Sequence, residues 1–295
     1  EGDAALLRRA GKELCRCSEK LGLDHPPGSM LADEERAAPW HEGFSPRRVQ
    51  RIFKETFTAR DIAELLRSFD AERLSSEVKE VMREQFVPVA GVRKDGVVTG
   101  YARMEDLSSG TCGQRARSFS HDQMVFDDTS LMDVILILTR HDYCFLALLD
   151  EAVGVITRVD MEKPIVRMWL FGMITIIEME FAALIHKKWP NESWRDLCSA
   201  GRLRKAEALC GERRRMSQQN DLLDCLQLGD KARVLFSDAE ILKQIGFNSR
   251  SEADRAIKSV ESLRNNLAHG QSIVSYDWPS IVGLTQGVQR MMVNI

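Results

Sequence analysis

Apolar residues recur along the chain with two different periods, and the changes of period divide it into three parts. Between residues 3 and 21, Leu6, Leu7, Ala10, Leu14 and Leu21 fall on one stripe, which predicts an amphipathic helix. Pro26, Pro27, Gly28, Pro39, Gly43 and Pro46 then interrupt any regular element, so residues 1–56 read as an extension. From Phe57 short apolar runs alternate with helical ones. Glu77–Met82 predicts a helical turn, Phe86–Ala90 a strand, Asp95-Gly96 a tight turn, Val97–Ala102 a second strand and Met104–Leu107 a short helix. The order then repeats. Leu131–Thr139 predicts a helix, Cys144–Leu149 and Ala152–Thr157 two strands, and Asp160 a cap for the helix beyond. Two similar helix–strand–strand–helix units are therefore expected, at 57–108 and 119–162.

Beyond residue 162 only the helical period remains. Ile165–Lys187 is apolar nearly all round at its start, with Pro164 tolerated in the first turn. Trp194–Cys210, Leu222–Phe236 and Trp278–Met292 predict further helices, as does Ser237–Ile245, where Ser237 and Glu240 form a capping box. Ala253, Ile257, Val260, Leu263 and Leu267 mark another, begun at Ser251 with Asp254 three on and stopped at Gly270. Four or five helices from residue 191 onward, joined to the long one before them and without a strand signal, predict a bundle over 163–295. The longest uncharged apolar run, Met168 to Ile177, has ten residues and is too short to span a bilayer, so no membrane partner is expected.

The chain has 295 residues, 44% hydrophobic and 29% charged, a composition able to bury a core. Its net charge of −3 hides an asymmetry: residues 1–160 carry 22 basic and 28 acidic side chains, and 161–295 carry 19 and 16. The basic run Arg202, Arg204, Lys205, Arg213, Arg214 and Arg215 suits steering an RNA backbone or, equally, a solvated helix face. Seven scattered cysteines read as reduced thiols of a cytoplasmic protein. Cys15-x-Cys17 has no second pair or nearby His, so no zinc site is expected.

The candidate chemistry lies in Arg264-Asn265-Asn266-Leu267-Ala268-His269-Gly270. On a helix Glu261, Asn265 and His269 follow one polar edge, and Arg264 borders the apolar stripe. His269 sits in the last turn, where the negative end of the helix dipole favours a cation. Guanidinium, carboxamide and imidazole together suit binding a phosphate and moving a proton beside it. Arg264-Asn265-x-x-x-His269 resembles the Arg-polar-x-x-x-His signature of HEPN domains, helical bundles many of which are metal-independent endoribonucleases. Arg115 and His121 have a spacing within the same range, but in a Ser/Gly-rich stretch with no helical pattern. The resemblance implies a homodimer in which two copies of Arg264, Asn265 and His269 meet, with RNA as substrate and no metal. The plainer reading pairs Arg264 with Glu261 and leaves Asn265, Asn266 and His269 to end the helix.

The repeated β units resemble a tandem pair of CBS domains, adenosine-nucleotide sensors whose ligand motif is Gly-h-x-Thr/Ser-x-x-Asp. The second unit matches it in full over Gly154-Val155-Ile156-Thr157-Arg158-Val159-Asp160. The first reads Gly100-Tyr101-Ala102-Arg103-Met104-Glu105-Asp106, with Arg103 at the hydroxyl position. The resemblance implies that Asp160 and Asp106 hold ribose and that Thr157 meets phosphate, the ligand being AMP, ADP, ATP or a related adenosyl compound. Two readings stand for Arg103: a charged replacement for the hydroxyl, or a degenerate first site. Thr157 and Asp160 also suit a simple helix cap.

The expected fold class is thus an α+β N-terminal tandem CBS module followed by an all-α HEPN-like helical bundle, in three segments: 1–56, 57–162 and 163–295. The expected function is an adenine-nucleotide sensor controlling an endoribonuclease, by family analogy a toxin or defence factor. The other reading is a non-catalytic nucleotide-sensing regulator whose bundle dimerises or docks a partner. DNA is not an expected partner.

Overall fold

Each β unit is a strand, a helix and a hairpin. After β1 (Glu64–Leu65), β2 (Ser68–Asp70) leads through α1 (Ser75–Glu84) to the hairpin of β3 (Val89–Lys94) and β4 (Val97–Arg103). In the second unit β5 (Met124–Phe126) leads through α2 (Leu131–Leu138) to β6 (Tyr143–Leu148) and β7 (Glu151–Thr157). In both, the leading strand runs parallel to the first hairpin strand. The hairpins also break register at equivalent places, between Val92 and Arg93 and between Leu146 and Ala147. Both turn on two residues of positive φ: Asp95 at 53° and Gly96 at 84°, Leu149 at 50° and Asp150 at 66°. Such turns match the right-handed twist of the strands. β1 runs antiparallel to β7, which gives a sheet ordered β1-β7-β6-β5 beside a sheet ordered β2-β3-β4. The entry to the first unit is thereby stitched to the second.

This computed structural model describes residues 51–53, 55–216 and 221–294, all within a compact unit running from Phe44 to Ile295. The helix expected at 3–21, the Pro- and Gly-rich segment at 26–46 and Cys15-x-Cys17 lie outside the described residues. Several local expectations need correction. β2 and β5 were not expected, because three residues are too few to show alternation. Phe86 does not begin a strand: it ends α1 with φ at 55° and is 93% exposed, and pairing starts at Val89. Met104–Leu107 is a turn rather than a helix, with Leu107 buried. A 3-10 turn, Arg158–Glu162, separates β7 from the long helix.

The helical half holds α3 (Pro164–Lys188), α4 (Ala200–Arg215), α5 (Leu228–Leu235), α6 (Ala239–Ile245), α7 (Arg250–Ala268) and α8 (Val274–Asn294). The helix expected over Trp194–Cys210 is interrupted by extended Cys198, and that over Leu222–Phe236 by extended Leu226 and Gln227. Two caps shift. Asp238, not Ser237, caps α6, its Oδ1 accepting from the amides of Glu240 (2.9 Å) and Ile241 (3.0 Å). Ser249, not Ser251, caps α7 by accepting from the Glu252 amide at 3.2 Å. Both stretches hold two capping side chains close together, and the path of the preceding loop chooses between them.

The packing is organised by α3. Its 25 residues are long and apolar enough to cross a membrane by length and composition, but half of its most apolar window is buried inside the protein. Trp169, Leu170, Met173, Ile177, Phe181 and Ile185 join a single core with Val134, Ile135 and Ile156 of the second β unit and with Leu235, Val260 and Leu263 of the bundle. The first unit keeps a smaller core around Val78, Met82 and Ala102. The two sheets meet on Tyr101, Phe119 and Phe145, with ring centroids 4.8–5.6 Å apart. Phe181, 2% exposed, stands edge-on to Phe236 at 6.2 Å. Phe181→Ala is expected to destabilise the chain by about 3–5 kcal/mol, read as a lower urea midpoint at an unchanged slope. A loss below about 1 kcal/mol would show that α3 does not anchor the core.

Candidate functional site

Asp160 lies in the 3-10 turn that follows β7, where it closes a capping box on Thr157. Its Oδ2 accepts from the Thr157 amide at 2.7 Å and hydroxyl at 2.9 Å. Its Oδ1 pairs with Lys163 Nζ at 2.9 Å, and the side chain is 9% exposed. Three of its roughly four lone-pair directions are thus taken within the chain. Lys163 also donates to the Ile62 carbonyl at 2.6 Å and pairs with Glu64, so it ties the turn to β1. Burial alone would lower the Lys163 ammonium, but Glu64 and Asp160 outweigh it and hold it above its ordinary value. Burial, with the Asp160 charge beside it, pushes the Cys144 thiol up to about 12, which leaves it unreactive. Gly154 faces the Glu64 carbonyl and the Leu146 side chain, where an added Cβ would stand 3.0–3.2 Å from them.

The equivalent turn of the first unit is clamped by arginines. Arg103 donates to both oxygens of Asp106, at 3.0 and 3.3 Å, and Arg117 does the same at 2.7 and 3.0 Å. Arg103 also pairs with Glu105 at 2.7 Å. Hydrogen bonds from Arg117 and Arg103 hold the Asp106 carboxyl well below the usual carboxylate range. Arg117 arrives on an extra bridge to Tyr101, and its carbonyl lies where a Cβ on Gly100 would come within 2.5 Å. Only glycine admits that approach. Arg103 therefore faces its own Asp106, in the place where a hydroxyl was expected.

Thr58-x-x-Asp61 has the same geometry as Thr157-x-x-Asp160, the Thr58 amide donating to Asp61 at 2.8 Å. The shared spacing would have revealed it in the sequence. Arg117 and Lys163 had no such signal. An open depression of roughly 390 Å³ lies between β3, β4 and residues 111–116, lined by neither Asp106 nor Asp160. Among the described residues no group of three or more His, Cys, Asp or Glu is placed to hold a metal ion.

At the far end of α7, Arg264, Asn265 and His269 are all exposed, and their side chains make no hydrogen bond or ion pair to any described residue. Between them on that surface Ala268 presents only a methyl group. Glu261 does not pair with Arg264, since its Oε1 accepts from the Gly229 amide at 3.1 Å. Asn266 turns away to donate to Asp277 at 2.6 Å. His269 is the C-cap residue just past Ala268, and Gly270 follows with φ at 67°. The Gln271 amide then returns to the Asn266 carbonyl at 3.1 Å. The three groups thus stand at one firmly ended helix terminus, with no described residue paired to them. Arg115, by contrast, is spent on Ser109, with which it makes contacts of 2.8 and 3.0 Å. In the basic run Arg202 pairs with Asp230, while Arg204, Lys205 and Arg214 are exposed without an ion pair to described residues.

No protein-family model matches the chain, and no curated protein sequence matches it. Solved structures similar to it are mostly CBS-domain proteins. CBSX2 in complex with AMP is 18% identical with a TM-score of 0.32, over 35% of this chain and 92% of that one. The CBS domain of a bacterial CNNM/CorC family Mg2+ transporter in complex with ATP is 15% identical with a TM-score of 0.34, over 41% and 94%. An uncharacterized conserved protein from Pyrococcus horikoshii is 16% identical with a TM-score of 0.34, over 36% and 90%.

The clamp on Asp106 gives a signed prediction. A carboxyl held low in the folded state stabilises above its unfolded value, about 3.9, and loses that contribution as pH falls through the folded value. Asp106→Asn should therefore cost on the order of 1–2 kcal/mol at pH 7. The difference from wild type should shrink below about pH 4. A difference that grows on acidification would contradict the clamp.

Proposed function

We propose that this chain is an adenine-nucleotide-responsive regulator whose helical half is a metal-independent endoribonuclease acting as a dimer. The observation that carries the reading is the trio Arg264, Asn265 and His269 at the end of α7, exposed and unpaired among the described residues. An exposed guanidinium and an exposed imidazole at one helix end, paired with no described residue, suit an anion that undergoes proton transfer. In the reaction one His269 takes the proton from an RNA 2′-hydroxyl, and the 2′-oxygen attacks the adjacent phosphorus. Arg264 neutralises the crowded phosphorane, Asn265 orients it, and the 5′-oxygen departs with a proton supplied by an imidazolium. The products are a 2′,3′-cyclic phosphate and a 5′-hydroxyl. Two imidazoles serve the two proton transfers, which is the reason for a second copy of the motif across a dimer. Arg204, Lys205 and Arg214 supply positive surface for the RNA backbone.

The nucleotide is assigned to the second β unit. There Asp160 keeps a lone-pair direction for a ribose hydroxyl, which competes with Lys163 for Oδ1. In the first unit the two arginine forks leave Asp106 closed to a sugar.

The purified chain is expected to cleave RNA in the presence of EDTA, and His269→Ala or Arg264→Ala to lower the rate by at least about a hundredfold while the dimer persists. RNA left intact by the wild type, with and without ATP or AMP, would remove the enzyme reading. For the sensor, calorimetry should show AMP or ATP binding that Asp160→Ala abolishes and Asp106→Ala does not. Equal binding by wild type and Asp160→Ala would take Asp160 out of the site.

A further inference from the structure

The 3-10 turn that carries Asp160 ends at Glu162, and Glu162 reaches across to the loop between α7 and α8. Its Oε1 accepts from the Ser272 hydroxyl at 2.7 Å and from the amides of Ile273 and Val274 at 2.8 and 2.9 Å. It therefore caps α8 from more than a hundred positions away. Arg167, in the first turns of α3, pairs with the other oxygen of Glu162 at 3.2 Å. Its guanidinium also donates to the carbonyls of Asn266 (3.0 Å), Leu267 (3.2 Å) and Gln271 (2.9 Å). Those carbonyls belong to the end of α7 and the turn just beyond. One carboxylate and one guanidinium thus hold both helix ends flanking His269.

We propose that Glu162 and Arg167 are positioning residues for His269, so that the segment ending the β half sets where that imidazole stands. Helix ends are ordinarily satisfied by neighbouring residues or by water. Here the orphan amides of α8 and the last carbonyls of α7 are satisfied together, by groups on the single connection between the halves. Neighbouring side chains in that connection pull in different directions: Lys163 holds the Ile62 carbonyl just before β1 and Glu64 on it, and Glu162 holds the α7–α8 turn. Arg158 adds a contact, its guanidinium standing 5.2 Å from the ring centre of Trp278 on α8. Burial would raise the Glu162 carboxyl, yet the Val274 amide, the Ser272 hydroxyl, the Ile273 amide and Arg167 outweigh it and hold it below the usual range. Glu162 therefore stays charged at neutral pH, as the clasp requires. Only the catalytic consequence rests on the proposed ribonuclease role of His269.

The test compares full-length wild type with Glu162→Ala, Glu162→Gln, Arg167→Ala and Arg167→Lys. Amide exchange should rise at least tenfold at Gln271, Ile273 and Val274 in the two alanine variants, with Val260 and Leu263 unchanged. The His269 imidazole resonance, identified by its loss in His269→Gln, should shift in the same variants. Glu162→Gln, which keeps an acceptor oxygen for the amides, should lie closer to wild type than Glu162→Ala. Arg167→Lys should restore little, because a point charge cannot span three carbonyls and a carboxylate. With RNA the alanine variants should lose at least tenfold in kcat while KM stays within twofold. Unchanged exchange and an unmoved imidazole would overturn the proposal, as would faster exchange spread evenly over Val260 and Leu263. If the wild type cleaves no RNA, the enzyme reading falls separately, and the exchange and imidazole measurements still decide the clasp.

Discussion

A single hydrophobic core runs through the second β unit and the helical bundle, and the rest of the structure depends on it. Trp169, Leu170, Met173, Ile177 and Phe181 of α3 pack against the β unit on one side and α5 and α7 on the other. Dispersion and burial act over all these residues at once, and the second β unit and the bundle share one buried cluster. The β and helical halves differ in secondary structure but share their packing.

That continuity gives meaning to the polar groups laid over it. Thr157, Asp160, Glu162, Lys163 and Arg167 fall within eleven consecutive residues. They engage β1, the 3-10 turn and the α7–α8 turn in succession. The first unit is organised differently. Its core is separate, and its Asp106 is neutralised by Arg103 and Arg117. The two repeats share a topology down to the place of the hairpin bulge, yet only the second is built into the helical core.

Legibility in the sequence followed the range of the interactions. The helix that carries Arg264 and His269 could be read because Ala253, Ile257, Val260 and Leu263 repeat at helical spacing and Gly270 stops it. The hairpins could be read from Asp95-Gly96 and from apolar runs. β2 and β5 could not, since a two- or three-residue strand is defined by its neighbour and not by its own pattern. The caps at Asp238 and Ser249 were missed by one or two residues for a similar reason. The exposure of Arg264, Asn265 and His269 could be anticipated from their helical angles. Arg117, Lys163, Glu162 and Arg167 gave no signal, because apart from ties of three to five positions their partners lie between 11 and 112 positions away.

The shared core is tested most directly by native-state hydrogen exchange under rising urea, comparing β6 with α7. The account predicts that amides such as those of Leu146 and Leu263 converge on one opening free energy and one denaturant slope, as residues of a single cooperative unit do. If β6 opens at a distinctly lower free energy while α7 stays protected, the two halves are independent and no signal can pass between them through packing.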